Sequence, residues 1–164
     1  GQVHVAGNTM LGYLGDPPRA PHDEIATGDL GVFDADGYLQ LHGRMGNRFI
    51  TGFGRNVSPE WVECEISQRL GGRAVLVHGE SRPYVVALVG ASAHEAPDAA
   101  VDAAIVAANA ALPNYAQVRH WARAPGPFTP ADGTLTANGR LRRQEIHSRH
   151  GALLDDLYRV ELAS

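Results

Sequence analysis

Four glycines, Gly43, Gly46, Gly52 and Gly54, fall within twelve residues, and the chain reads differently on either side of them. Glycine reaches backbone conformations closed to other residues, so this cluster predicts a bend, a short strand at Phe49-Ile50 and a tight loop. Before it lie three short β-rich runs, at 3–6, 30–33 and 38–42. The last two are joined by Asp34-Ala35-Asp36-Gly37, a good hairpin loop with Gly at positive φ. A proline-rich connection, Asp16-Pro17-Pro18-Arg19-Ala20-Pro21, precedes Thr27-Gly28-Asp29, and this region is expected to be surface loop. Three short strands in about 40 residues cannot close a core alone, so this part reads as the edge of something larger.

After the glycines the period lengthens to that of a helix. Ser58 stands at a capping position and Pro59 at the first helical one, and Val62, Ile66 and Leu70 repeat at helical spacing until Gly71-Gly72. Trp61 is expected to anchor the core, and Cys64 to pack on the same helix. Two apolar strands follow at 74–77 and 84–89, turning at 80–83. A second helix, 97–111, carries Val101, Ala104, Ile105, Ala108 and Leu112 on one stripe, and Pro113 stops it. A third strand is expected at 118–121, a long loop over 124–139, and a last helix from about Leu141 to Tyr158 with Leu153, Leu154 and Leu157 inward. The fold class is therefore α+β: a small β lobe, then a compact C-terminal domain in which a β-hairpin and a three-stranded sheet are packed by helices.

Several functions are excluded by composition. At 164 residues the chain has no apolar window long enough to span a membrane, and its N-terminus lacks the features of a secretory signal. A formal charge of −4 argues against a nucleic-acid binder, and the Arg140, Arg142, Arg143 trio is too short to make a patch. The single cysteine rules out a disulfide framework and favours a reducing, cytoplasmic setting. His147 and His150 lie three apart on the last helix without a third ligand, so no metal site is expected. Ser58 has no base within helical reach. All fourteen basic residues are arginine, so any chemistry that needs a lysine ammonium is not done by this stretch in the usual way.

Five segments, in order, carry a resemblance. Gly1-Gln2-Val3-His4-Val5-Ala6-Gly7 with Gly12-Tyr13; Thr27-Gly28-Asp29-Leu30-Gly31; Asp36-Gly37-Tyr38-Leu39 with Gly43-Arg44; Ile50-Thr51-Gly52-Phe53-Gly54-Arg55-Asn56-Val57-Ser58-Pro59-Glu60-Trp61-Val62-Glu63; and Leu112-Pro113-Asn114-Tyr115-Ala116 with 135–143. Together they resemble the C-terminal part of the adenylate-forming (AMP-binding) enzymes, most of all the acyl-CoA synthetase and long-chain fatty-acid–CoA ligase branch. The resemblance covers essentially the whole chain.

It implies a division into residues 1–43 as the terminal β lobe of a large adenylation domain, 44–47 as a hinge, and 48–164 as a mobile C-terminal domain. Asp29 matches a family aspartate that binds the ribose of ATP and of the acyl-adenylate; a carboxylate can accept from both hydroxyls of a vicinal diol. Read without the resemblance, Asp29 is a turn carboxylate bonding its own backbone. Arg44 matches a nucleotide-reaching arginine, whose fixed donors suit a ribose or phosphate edge. Gly46 falls where the family pivots on Asp or Lys: it permits rotation but offers no charged contact. Gly52, Gly54 and Arg55 match a loop that meets the pantetheine arm of the thiol acceptor.

The largest departure is at Arg140, which follows Gly139 where the family has a lysine acting on the carboxylate and α-phosphate oxygens. Either Arg140 does that work, or adenylation is poor, or the register differs and Arg142 or Arg143 takes the place. Otherwise Arg140 is a charge on the first turn of a surface helix, where the helix dipole disfavours it.

The resemblance thus implies part of an ATP-dependent, AMP-forming acid–thiol ligase, inactive when separated from the phosphate loop and acyl pocket that the family keeps upstream. ATP, Mg2+ and CoA are the implied cofactors, with the Mg2+ ligands outside this chain. ATP or AMP, a carboxylic acid and CoA or an acyl-carrier protein are the implied partners. The competing reading is a non-catalytic interaction domain that docks an acyl-carrier protein or a separate adenylation domain. A third, a peptide-synthetase adenylation domain, fits Phe53-Gly54-Arg55-Asn56-Val57-Ser58-Pro59 less well.

Overall fold

In a computed structural model of the chain, which describes residues 1–7, 14, 24–92 and 96–159, the backbone separates into two compact units, Gly1–Arg48 and Phe49–Ser164. Gly12-Tyr13 and the proline-rich connection lie outside the described residues.

The first unit is an antiparallel sheet of β1 (Gln2–Val5), β2 (Ile25–Phe33) and β3 (Leu39–Arg44), in that order, followed by a 3-10 turn at Met45–Asn47. Its tight loop forms as expected. The Asp34 carboxylate accepts from the Asp36 and Tyr38 amides at 3.0 and 2.9 Å, and Gly37 takes φ of 84°. Thr27-Gly28-Asp29 is not loop but strand, and β2 begins at Ile25. The turn-like signal at Gly28 is genuine, since its φ is 77°. The strand nevertheless continues, because Thr27 Oγ1 donates to the Val3 carbonyl on β1 and accepts the Asp29 amide, both at 3.0 Å. No described side chain of residues 1–48 is buried, and Phe33, Tyr38 and Leu41 are largely exposed. Three strands have not closed a core.

The second unit opens with the expected β-hairpin, β4 (Phe49–Ile50) against β5 (Asn56–Val57). Then come α1 (Pro59–Arg69), β6 (Val75–His78), β7 (Val85–Val89), α2 (Asp98–Ala111), β8 (Val118–Arg123) and α3 (Arg143–Arg159). The sheet order is β6-β7-β8; β7 runs antiparallel to β6 and parallel to β8, with α2 in the crossover.

Central β7 is buried on both faces, which is why it reads as an unbroken apolar run. Val85, Ala87 and Val89 join Val62, Ile66, Val101, Ile105 and Ala108 in one core. Val86 and Leu88 point the other way, into a second core with Phe128, Ile146, Leu154 and Leu157. Trp61 packs partly buried against the first core. Two details differ from expectation. Cys64 is exposed, and the Ser58 hydroxyl makes no cap bond, lying 3.5 Å from Glu60 Oε2 instead. Pro59 and Glu60 remain in the first turn of α1.

Candidate functional site

The first candidate pair forms because β2 and β3 are in register at one place. Asp29 and Arg44 are cross-strand neighbours, and they form an ion pair in which Arg44 Nε lies 2.9 Å from Asp29 Oδ1. The ladder shifts register between Leu30 and Gly31, so the pair sits beyond a bulge, which re-aims side chains relative to the rest of the strand. Asp29 is about a quarter exposed and Arg44 about half. The closest approach is between Nε and Oδ1, and neither side chain pairs with another described residue. Gly46 lies in the 3-10 turn just after Arg44, where an added Cβ would meet nothing within 4 Å.

In the second unit the β4–β5 hairpin holds Gly52, Gly54 and Arg55 at its turn. Thr51 N–H donates to the Arg55 carbonyl at 2.9 Å, Gly54 N–H to the Thr51 carbonyl at 2.9 Å, and Gly54 has φ of 73°. Gly52 N–H donates to the Arg82 carbonyl at 2.8 Å, and a Cβ there would press on that same carbonyl at 3.3 Å. The turn thus fastens to the β6–β7 connection while Ile50 and Phe53 stay exposed. The Arg55 guanidinium lies 5.9 Å from the Tyr115 ring centroid.

Arg140 stands at the exit of a second tight hairpin rather than on a helix, since α3 begins three residues later at Arg143. Thr136 N–H donates to the Arg140 carbonyl at 2.8 Å, Arg140 N–H to Thr136 Oγ1 at 3.1 Å, and Gly139 takes φ of 75°. Leu135 and Leu141 bridge below. The entry strand is anchored by Asp132, whose carboxylate accepts from Thr134 Oγ1 at 2.6 Å and from the Thr134 amide at 2.9 Å. These bonds hold its pKa down at about 2. The exposed Arg140 guanidinium makes no hydrogen bond or ion pair with any described residue.

The three arginines near the C-terminus now separate. Arg143 is committed: Nη1 and Nη2 donate to Glu63 Oε1 and Oε2, both at 2.6 Å, and Glu60 Oε1 is 3.5 Å away. Glu63, on the inward face of α1, is buried, and its Oε1 also accepts the Val77 amide of β6 at 2.9 Å. Burial pushes the Glu63 carboxyl up, against the lowering pull of Arg143 and the Val77 amide. Burial works to lower the Arg143 guanidinium, and Glu63 and Glu60 more than offset it. Arg140 and Arg142 remain exposed.

Glu63 was not singled out by the sequence. The available signal was a glutamate between Val62 and Ile66 on the apolar stripe of α1. Among the described residues no three His, Cys, Asp or Glu side chains could together hold a metal ion, so none is assigned to Mg2+. His147 instead faces His78, with ring centroids 5.1 Å apart. No helix among the described residues is long and apolar enough to cross a membrane.

A family model described as the AMP-binding enzyme C-terminal domain matches residues 47–161. The long-chain-fatty-acid–CoA ligase FadD15 of Mycobacterium tuberculosis is 30% identical over 159 residues, covering 82% of this chain and 26% of its own. Long-chain-fatty-acid–CoA ligase 5 of Mus musculus is 25% identical, covering 96% of this chain and 28% of its own. Among solved structures, the adenylation domain of a carboxylate reductase from Mycobacterium chelonae matches with a TM-score of 0.66 at 24% identity, covering 82% of this chain and 23% of that chain. That likeness shows a shared fold. The chain spans about a quarter of the length of the curated relatives it matches. Over most of its length, then, this chain belongs to the AMP-binding enzyme C-terminal domain family.

Proposed function

We propose that the chain supplies the C-terminal part of an ATP-dependent, AMP-forming acyl-activating ligase of the cytoplasm. A carboxylate oxygen attacks the α-phosphorus of ATP, the bond to the β-phosphate oxygen breaks, and pyrophosphate leaves; a thiol then takes the acyl group and AMP is released. The acceptor is CoA or the pantetheine of an acyl-carrier protein. The observation that carries this reading is the Asp29–Arg44 pair. Arg44 grips Asp29 through Nε at 2.9 Å and so orients the carboxylate while leaving Oδ2 to accept from a ribose diol and Nη to donate to the nucleotide. Residues 1–43 act as the nucleotide-facing lobe, 44–47 as the hinge around Gly46, and 48–164 as the part that turns. Arg140, at a hairpin exit and unpaired among the described residues, brings positive charge to the carboxylate and α-phosphate oxygens. Gly52, Gly54 and Arg55 form the rim along which the thiol arm approaches.

The test is Asp29→Asn in the whole protein carrying this sequence. A charge-assisted hydrogen bond is worth about 1.5–3 kcal/mol, so the KM for ATP rises about ten-fold or more while the fold is retained. An unchanged KM removes the ribose role.

The exposed Ile50, Phe53 and Arg55 favour a second reading of residues 48–164, a docking surface for an acyl-carrier protein. It predicts that Phe53→Ser impairs thioester formation on a carrier protein and leaves transfer to free CoA intact.

A further inference from the structure

Among the described residues Arg140 has no side-chain partner, so its hairpin must be aimed by other contacts. The bonds within the hairpin, between Thr136 and Arg140, set its shape but not its direction. Direction is set at the exit, where only Leu141 and Arg142 separate Arg140 from Arg143. Leu141 bridges to Leu135, and Arg142 N–H donates to the Thr134 carbonyl at 2.8 Å. Arg143 opens α3 and closes a two-point fork on Glu63 with both contacts at 2.6 Å. Glu63 is fixed in turn to the central sheet through the Val77 amide at 2.9 Å. Two parallel N–H···O bonds fix orientation as well as distance, which one ammonium contact does not.

We infer that Glu63 and Arg143 are positioning residues for Arg140: a fork from α1 to the first residue of α3 that transmits the rigidity of the β6–β7–β8 sheet to the hairpin exit. The functional part of this inference rests on the role proposed for Arg140; the mechanical part does not.

Amide hydrogen exchange on the chain itself tests the mechanical part. In Arg143→Lys and in Glu63→Gln, the amides of Thr136, Gly139 and Arg142 exchange at least ten-fold faster, whereas those of Val86 and Leu88 on β7 keep their protection. Hairpin amides that do not respond, or β7 amides that speed up equally, overturn the inference.

The functional part is read in the whole protein carrying this sequence. Arg143→Lys lowers the rate of acyl-adenylate formation at least ten-fold with the KM for ATP unchanged. It spares thioester formation from supplied acyl-adenylate and adds nothing in an Arg140→Ala background. An Arg143→Lys effect that persists undiminished in that background, or that strikes both half-reactions alike, shows a general structural role and contradicts positioning. If Arg140→Ala itself leaves adenylation intact, the role proposed for Arg140 fails, while a loosened hairpin still supports the mechanical link.

Discussion

At the scale of single residues, what separates Arg140 from Arg143 is the company each keeps. Arg143 commits its fork to a buried carboxylate, whereas Arg140 pairs with no described residue. A buried ion pair is costly to leave half made, because the remaining charge has neither water nor a partner. Arg143→Ala therefore destabilises the second unit by about 3 kcal/mol, at the lower end for buried pairs because the side chain stays partly accessible. Glu63→Gln with Arg143→Met, which keeps an acceptor for the Val77 amide, costs less than that. Urea denaturation of both variants checks the ordering, and a double variant less stable than the single one contradicts it. None of this pairing was legible in the sequence. The two residues are 80 apart; the place of Glu63 on an apolar stripe marks burial without naming a partner, and Arg143 taken alone reads as a helix-surface charge. Asp29 and Arg44 were legible as chemical candidates, but their contact depended on a β2–β3 register that a turn-like Thr27-Gly28-Asp29 concealed.

At the scale of elements, α1 and α2 were readable because their apolar stripes are regular and both ends are marked, by Pro59 and Gly71-Gly72 and by Pro97 and Pro113. α3 starts two residues after the expected Leu141, because Leu141 continues an apolar spacing yet is held in the Leu135 bridge. The contact between α3 and β6 carries a pH dependence. Burial lowers the pKa of His78 below its ordinary 6.5; His147 and Arg82 push the same way, and Glu80 and Asp155 oppose. The unfolded chain then takes up the proton first, so stability is present above about pH 6.5 and is lost as the pH falls towards the folded value. Melting temperatures measured between about pH 7.5 and 5.5 fall less steeply in His78→Phe than in the parent chain. Parallel curves contradict the account of this contact.

At the scale of the whole molecule, the sequence pattern changes across the glycine cluster, and the backbone separates into two units, Gly1–Arg48 and Phe49–Ser164. The organisation into edge sheet and helix-covered sheet could be read because a three-stranded piece without a core and a piece with two cores differ in composition as well as in period. If the chain turns about Gly46 between half-reactions, fixing φ there slows the cycle without harming either step. Gly46→Pro in the whole protein lowers the steady-state rate of thioester formation about ten-fold and leaves acyl-adenylate formation within about two-fold. Gly46→Ala, for which the surroundings are open, serves as the control and behaves like the parent. Equal rates for all three place the pivot elsewhere.

The account turns on a guanidinium doing the work of an amine at the reacting phosphate, and single-turnover acyl-adenylate formation in Arg140→Ala and Arg140→Lys measures that directly. Loss of one preorganised donor to a developing charge costs roughly a hundred-fold or more. The predicted result is a loss of that size in Arg140→Ala, partial recovery in Arg140→Lys, and thioester formation from supplied acyl-adenylate unchanged in both. A rate of adenylate formation in Arg140→Ala equal to that of the parent protein contradicts the account.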